Sequence, residues 1–237
     1  MSRRHIKYVL RWPDRGEQIL VVVVEDATQE IILNDEAPPA WARLDNAKCR
    51  HCPLDSTRHP YCPLARALVD PLRLCAHAQG KDQIEVDVVI DDRVVSTTTT
   101  VQRAMSSLLG LIMPSSGCPH TEFLRPMARF HLPFASPTET LYRSTSMYLL
   151  GQHFRERAGQ TPDYALTGLQ RRYRQLHTLN RDFAKRLRHA AEGDAAFNAV
   201  VFLDLFTIAL PQALEEALEP IASLFESFTR EPPADQT

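Results

Sequence analysis

Hydrophobic residues recur at every second position near the start of the chain and at every third or fourth position in its second half, so the pattern predicts strands followed by helices. Ile6, Tyr8, Leu10 and Trp12 alternate with polar or smaller residues, the period of a half-buried strand. Pro13-Asp14-Arg15-Gly16 supplies a turn, and residues 17–25, with valine at 21 through 24, return as the second arm of a hairpin. Residues 28–33 are expected to add a third strand before Pro38-Pro39 breaks the pattern. Residues 84–90 and 94–101 are rich in β-branched side chains and flank Asp91-Asp92-Arg93, which predicts a second tight hairpin in the same antiparallel sheet.

From Gln102 the period becomes helical, with Met105, Leu108, Leu109 and Ile112 at steps of three and four until Pro114-Ser115-Ser116-Gly117 stops the run. Ser136-Pro137-Thr138-Glu139 reads as a capping box opening a helix to about Arg157. Leu169, Tyr173, Leu176, Asn180, Phe183, Leu187 and Ala190 describe a packed seam, interrupted by Asn180, which either fixes register or pairs with a buried partner, or takes a boundary position facing water. Asp194 is expected to cap the last long helix and Pro211 to kink it. The prediction is an α+β fold forming one compact domain over 1–237. Its sheet comes from 5–33 and 83–101, a cysteine segment at 41–80 is inserted between the β units, the helical part runs over 102–228, and 229–237 is a flexible tail.

Composition changes this picture only a little. The 237 residues are 44% hydrophobic, enough for a sizeable core, and the net charge of −2 argues against bulk affinity for nucleic acid. Charge is nevertheless uneven: 155–189 holds nine Lys or Arg against three acids, and 192–237 nine acids against Arg230 alone. Arg171, Arg172, Arg174, Lys185, Arg186 and Arg188 read as a solvated face or as partners of the acidic C-terminal region, since no nucleic-acid motif accompanies them. The N-terminus lacks a signal-peptide pattern and the apolar stretch 197–210 is too short to span a bilayer, so a soluble cytoplasmic protein is expected, without a membrane partner.

Candidate chemistry lies in the cysteines. Cys49-x2-Cys52-x9-Cys62 and the distant Cys118 supply four thiolates, a full tetrahedral shell, and in a reducing compartment these spacings favour metal over disulfides. Zinc is the expected metal, with a 4Fe–4S cluster as the alternative on the same ligands; the Cys-Pro dipeptides also admit haem, and ordinary buried thiols would explain the residues without any metal. His51, His59, His77 or His120 could each replace one cysteine. Cys75, among Leu64, Leu68 and Leu72 in the helical stretch 63–77, is read as a core residue.

Residues 117–134, Gly-Cys-Pro-His-Thr-Glu-Phe-Leu-Arg-Pro-Met-Ala-Arg-Phe-His-Leu-Pro-Phe, set charges among apolar groups, and such charges must pair or meet a ligand. Arg125 and Arg129 are four apart and could clamp a small anionic ligand, with His120 and His131 alongside; internal pairing with Glu122, Glu139 or an N-terminal acid is the competing expectation. Cys118 beside His120 also suggests an enzyme or redox sensor using residues 118–131. Together with Cys52-Pro53-Leu54, His59-Pro60-Tyr61-Cys62-Pro63-Leu64-Ala65 and 142–150, the stretch 116–135 resembles an uncharacterised bacterial protein family sharing the same cysteine and FLRPMARFHLPFA-type signature. The resemblance covers most of the chain and implies a bacterial cytosolic protein of recurring architecture, without assigning catalytic residues. A metal-binding protein with a binding or regulatory role is therefore expected in preference to an enzyme.

Overall fold

A computed structural model describes residues 2–188, 200 and 214–230. Two hairpins, β1 (Arg3–Trp12) with β2 (Gly16–Glu25) and β3 (Gln83–Ile90) with β4 (Arg93–Thr100), join through β1 and β3 into a four-stranded antiparallel sheet of order β2-β1-β3-β4. The first turn needs Gly16, whose φ of 72° lies in the left-handed region. In the second, Ile90 pairs with Arg93 and Asp91 takes φ 52°, a conformation aspartate tolerates better than most residues.

One sheet face is apolar and turned to the core; the other is mixed, with Ile19 and Val21 exposed among its charged residues. Ile6, Tyr8, Leu10, Trp12, Val22, Val24, Ile84, Val86, Val88 and Ile90 enter the main core, whereas Arg11 on the other face reaches Asp87 at 2.7 Å and Glu17 at 3.1 Å. The core is closed by α3 (Val101–Ser115), which buries Met105, Leu108, Leu109 and Ile112. Its N-terminus is capped by the Thr100 hydroxyl, which accepts from the Arg103 N–H.

Residues 28–33 do not form the third strand expected of them. Gln29 turns the chain at φ 58°, and only Ile31 bridges to β2, at Val24. The Ile31 N–H is instead donated to the Ser115 carbonyl at the end of α3, so the segment covers the β2 edge without extending the sheet. The stretch 63–77 likewise divides, into α1 (Pro63–Ala67) and α2 (Val69–Leu74), with Cys75 buried behind them as read from the sequence.

The helical half contains α4 (Arg125–Arg129), α5 (Pro137–Arg157), α6 (Thr167–Arg188), α7 (Leu214–Ala222) and α8 (Glu226–Thr229). The capping box at Ser136 and Glu139 is present in full. A second apolar cluster, Leu141, Leu166, Leu169, Tyr173 and Leu176, holds α5 against the N-terminal half of α6, while Leu179, Phe183 and Leu187 farther along α6 join the main core. Of the two readings of Asn180 the buried one holds, at 2% exposed, and one expectation for α6 is corrected: Arg186 is not on a solvated basic face but is 1% exposed. The expected cap at Asp194, the kink at Pro211, the end of the seam at Ala190 and the tail beyond residue 230 lie outside the described residues. Among the described residues, no helix is long and apolar enough to cross a membrane.

Candidate metal centre

The cysteines sit on three short backbone segments that pack together. Cys49 and Cys52 close a turn in which the Cys52 N–H donates to the Cys49 carbonyl at 3.0 Å. A small ladder positions Cys62: Arg43 bridges Tyr61, the Leu44 N–H donates to the Pro60 carbonyl and the Cys62 N–H to that of Ala42, closing the excursion between them. Cys62 is then the N-cap of α1, which begins at Pro63. Cys118 follows the end of α3 in a turn that needs Gly117 at φ 82°.

Two contacts bring the Cys118 turn to the other segments. Nε2 of His120 lies 2.9 Å from the His51 carbonyl, with the two imidazole rings 4.1 Å apart, and a β-carbon at Gly117 would stand 3.8 Å from Cβ of Pro63. The residues separating these turns in sequence are accommodated by the second hairpin and α3. All five cysteines are free thiols.

Burial dominates the electrostatics of three of the candidate thiols. Burial pushes Cys49 up to about 12, and the thiols of Cys62, Cys118 and Cys52 add to the effect. Burial also raises Cys118, to about 11, with the His120 N–H and the Thr121 hydroxyl pulling the other way. Cys62 is raised by burial against the N–H of Ala65, the charge of Arg186 and the N–H of Leu64. Backbone donors aimed at sulfur favour thiolate, the form that binds metal. Among the described residues, however, no group of three or more His, Cys, Asp or Glu side chains is arranged to hold a metal ion. The thiols thus share a neighbourhood without a common coordination geometry.

Two charged residues of α6, one helical turn apart, grip this region and were not singled out as site residues by the sequence reading. Asp182 accepts from the backbone N–H of Arg50 at 3.0 Å, from its Nε at 3.2 Å and from its terminal nitrogen at 3.0 Å. Burial works against the Asp182 carboxylate, but these Arg50 bonds hold it down to about 2. Arg186 donates to the carbonyls of Trp41, Arg43 and Leu44 at 2.8, 2.6 and 3.2 Å. A signal existed: both charges adjoin the apolar seam of Leu179, Phe183 and Leu187.

The segment after Cys118 is braced chiefly by side chains from elsewhere in the fold. Arg4 of β1 donates to the Arg129 carbonyl, and Arg143 of α5 donates to the carbonyls of Met127 and Phe130 at 2.8 and 2.7 Å, so two guanidinium groups satisfy the end of α4. Arg125 pairs with Glu30 at 2.5 Å and Glu122 at 2.9 Å, in line with the internal-pairing expectation. His131 is buried at 2.7 Å from the Tyr8 hydroxyl, and burial with the charges of Arg143 and Arg4 pushes it down to about 3. Arg129 lies over the exposed Phe130 ring at 5.6 Å, beside Arg4, with no carboxylate partner among the described residues. A cavity of about 70 Å³ lies elsewhere, between β2 and α2, and none of His120, Arg125, Arg129 and His131 lines it.

A mixed α/β fold with an antiparallel sheet and a cysteine-bearing insertion defines the class of this protein. The chain belongs to the family described as "Domain of unknown function (DUF6901)", whose model matches residues 6–226. No curated protein and no solved structure matches it.

Proposed function

We propose that this is a metal-binding protein of the bacterial cytosol, in which Cys49, Cys52, Cys62 and Cys118 bind zinc and the filled centre has a binding or regulatory role. The observation that supports this best is the packing of the three cysteine-bearing segments against one another, with His120 of the Cys118 turn 2.9 Å from the His51 carbonyl between Cys49 and Cys52, and the Cys118 turn against Pro63 beside Cys62. Metal ligation would bind the four sulfurs as thiolates and draw them inward, tying the inserted segment to the end of α3. A 4Fe–4S cluster is the alternative on the same ligands, and would make the protein a redox sensor or enzyme.

Metal analysis with an absorption spectrum of anaerobically purified protein tests both. A colourless protein with one equivalent of zinc supports the first reading and a brown one with iron and sulfide the second. Protein that stays metal-free after anaerobic reconstitution with either would sink the centre altogether. Recognition of a small anionic ligand now rests on Arg129, because Arg125 is neutralised by Glu30 and Glu122 and His131 faces Tyr8. Loss of binding to an anion panel in a folded Arg129→Ala protein would support that role.

A further inference from the structure

The cavity beside β2 follows from the strand that residues 28–33 do not complete. Ile31 bridges Val24 and the Ile32 N–H donates to the Val23 carbonyl at 2.8 Å, but the chain then turns to the helices. The Asn34 carbonyl accepts from Arg66 of α1 at 3.4 Å, and the Asn34 side-chain amide donates to Asp70 of α2 at 3.2 Å. The departure from β2 leaves a wedge of about 70 Å³ between β2, the 31–38 segment and the two short helices.

The lining of this wedge has two chemistries. Leu20, Val22, Ile31, Leu33 and Val69 are apolar, as is Ile112 of α3, which is 1% exposed, whereas Glu36, Arg66, Asp70 and Arg73 bring two carboxylates and two guanidinium groups. Arg73 reaches Glu36 at 3.0 Å and Asp70 at 3.3 Å. These three side chains are half or more exposed, and ion pairs so placed contribute little, so a ligand can replace them readily. Arg66 uses one donor on the Asn34 carbonyl, and a guanidinium carries five.

Size and charge together select an occupant. A benzene ring takes an apolar cavity of about 150 Å³ and a water-sized group about 15 Å³, so this wedge admits roughly five such groups, enough for a branched aliphatic side chain and too few for an aromatic one. A rim that carries both signs is complementary to a head group that carries both. We propose that the cavity binds a free aliphatic amino acid, with its side chain among Leu20, Val22, Leu33, Val69 and Ile112, its carboxylate on Arg66 and its ammonium on Glu36 and Asp70. A few placed polar groups over an apolar floor are the usual make-up of a small-molecule site, and the guanidinium fork suits a carboxylate in two parallel bonds. No metal and no cysteine takes part, so this site and the metal-binding reading stand or fall separately.

Calorimetric titration of the full chain with L-leucine and L-isoleucine tests this, with L-phenylalanine, 4-methylpentanoate and 3-methylbutylamine as comparisons that enlarge the side chain, remove the ammonium and remove the carboxylate. One of the two aliphatic amino acids is expected to saturate a single site, and each comparison to bind at least about tenfold more weakly. In the unaltered protein the bound amino acid should slow hydrogen exchange at residues 20–23 and 31–38. Arg66→Gln should weaken it by about tenfold or more. Absence of saturable binding of both amino acids up to about 10 mM would overturn the site. Equal binding of 4-methylpentanoate or 3-methylbutylamine would overturn recognition of the doubly charged head group, and equal binding of L-phenylalanine the fit to this cavity. Binding that leaves exchange at 20–23 and 31–38 unchanged would overturn the location without requiring any variant to fold, and undiminished binding in folded Arg66→Gln would overturn the role of Arg66.

Discussion

The hydroxyl of Tyr8 and Nε2 of His131 meet at 2.7 Å in the buried layer between β1 and the segment after α4, joining residues 123 positions apart. Because His131 is held down to about 3 in the folded protein, the unfolded chain takes up this proton first as pH falls below about 6.5. Stability linked to His131 is therefore fully present above that pH and is lost progressively toward pH 3. The loss is about 1.4 kcal/mol per pH unit within the window. Urea denaturation between pH 7.5 and 5 should show this slope, and His131→Gln should flatten it at a lower overall stability.

Arg4 and Arg143 both hold the end of α4, through the carbonyls of Arg129 and of Met127 and Phe130. Arg4→Met keeps much of the stem but leaves the Arg129 carbonyl without its donor, at an expected cost of about 2 kcal/mol. Metal content should not change, since Arg4 touches none of the cysteine segments. Chemical denaturation with metal analysis of the same samples checks both halves of this expectation, and a metal-depleted Arg4→Met protein would contradict it.

Cys118 and Cys75 are both buried, yet their substitutions should differ in kind. Cys75 faces Met105, with its sulfur 3.2 Å from the thioether, so Cys75→Ala should cost about 1 kcal/mol of packing and retain bound metal. Cys118→Ala should abolish stoichiometric zinc, or bleach the absorbance of a cluster, because it removes a quarter of the shell. Equal metal retention in the two variants would remove Cys118 from the centre.

The start of α6 offers a test independent of metal. Asp163 accepts from the Gly168 N–H at 2.6 Å and from the Tyr148 hydroxyl at 2.9 Å, and a β-carbon at Gly168 would lie 2.1 Å from that hydroxyl. Gly168→Ala should destabilise by about 1 to 3 kcal/mol through this overlap. In a Tyr148→Phe background the added cost should be smaller, and a double-mutant cycle by thermal melting measures the difference. Strict additivity would show that the overlap is relieved in some other way.

Much of the fold was legible because it depends on period and caps. Alternation in β1, the Asp91-Asp92 turn, the stop at Pro114 to Gly117 and the box at Ser136 are local signals, and each element formed where they stand. Residues 28–33 misled because their apolar run is strand-like, while the Ile31 N–H finds its partner in the distant Ser115 carbonyl, which no local pattern reveals. Arg186 misled, and Asn180 stayed undecided between burial and water, for a related reason. Both are polar residues whose burial is decided by what packs over α6 from outside the helix. Of the candidate site, cysteine spacing was readable, but the grip of Asp182 on Arg50 is a long-range pairing invisible to spacing.

The path of the chain also sets an order of events during synthesis. Cys49, Cys52 and Cys62 leave the ribosome together, and Cys118 follows Cys62 by 56 residues. At about 5 to 20 residues per second that interval lasts roughly 3 to 11 seconds. A nascent chain would therefore offer three thiols to any ion that accepts three, and the fourth would arrive only with β3, β4 and α3 already made. Discrimination among competing ions would then be exercised twice, once by an incomplete and exchangeable shell and again by the finished one, so that tight retention would mark a chain whose translation had run to the end of α3.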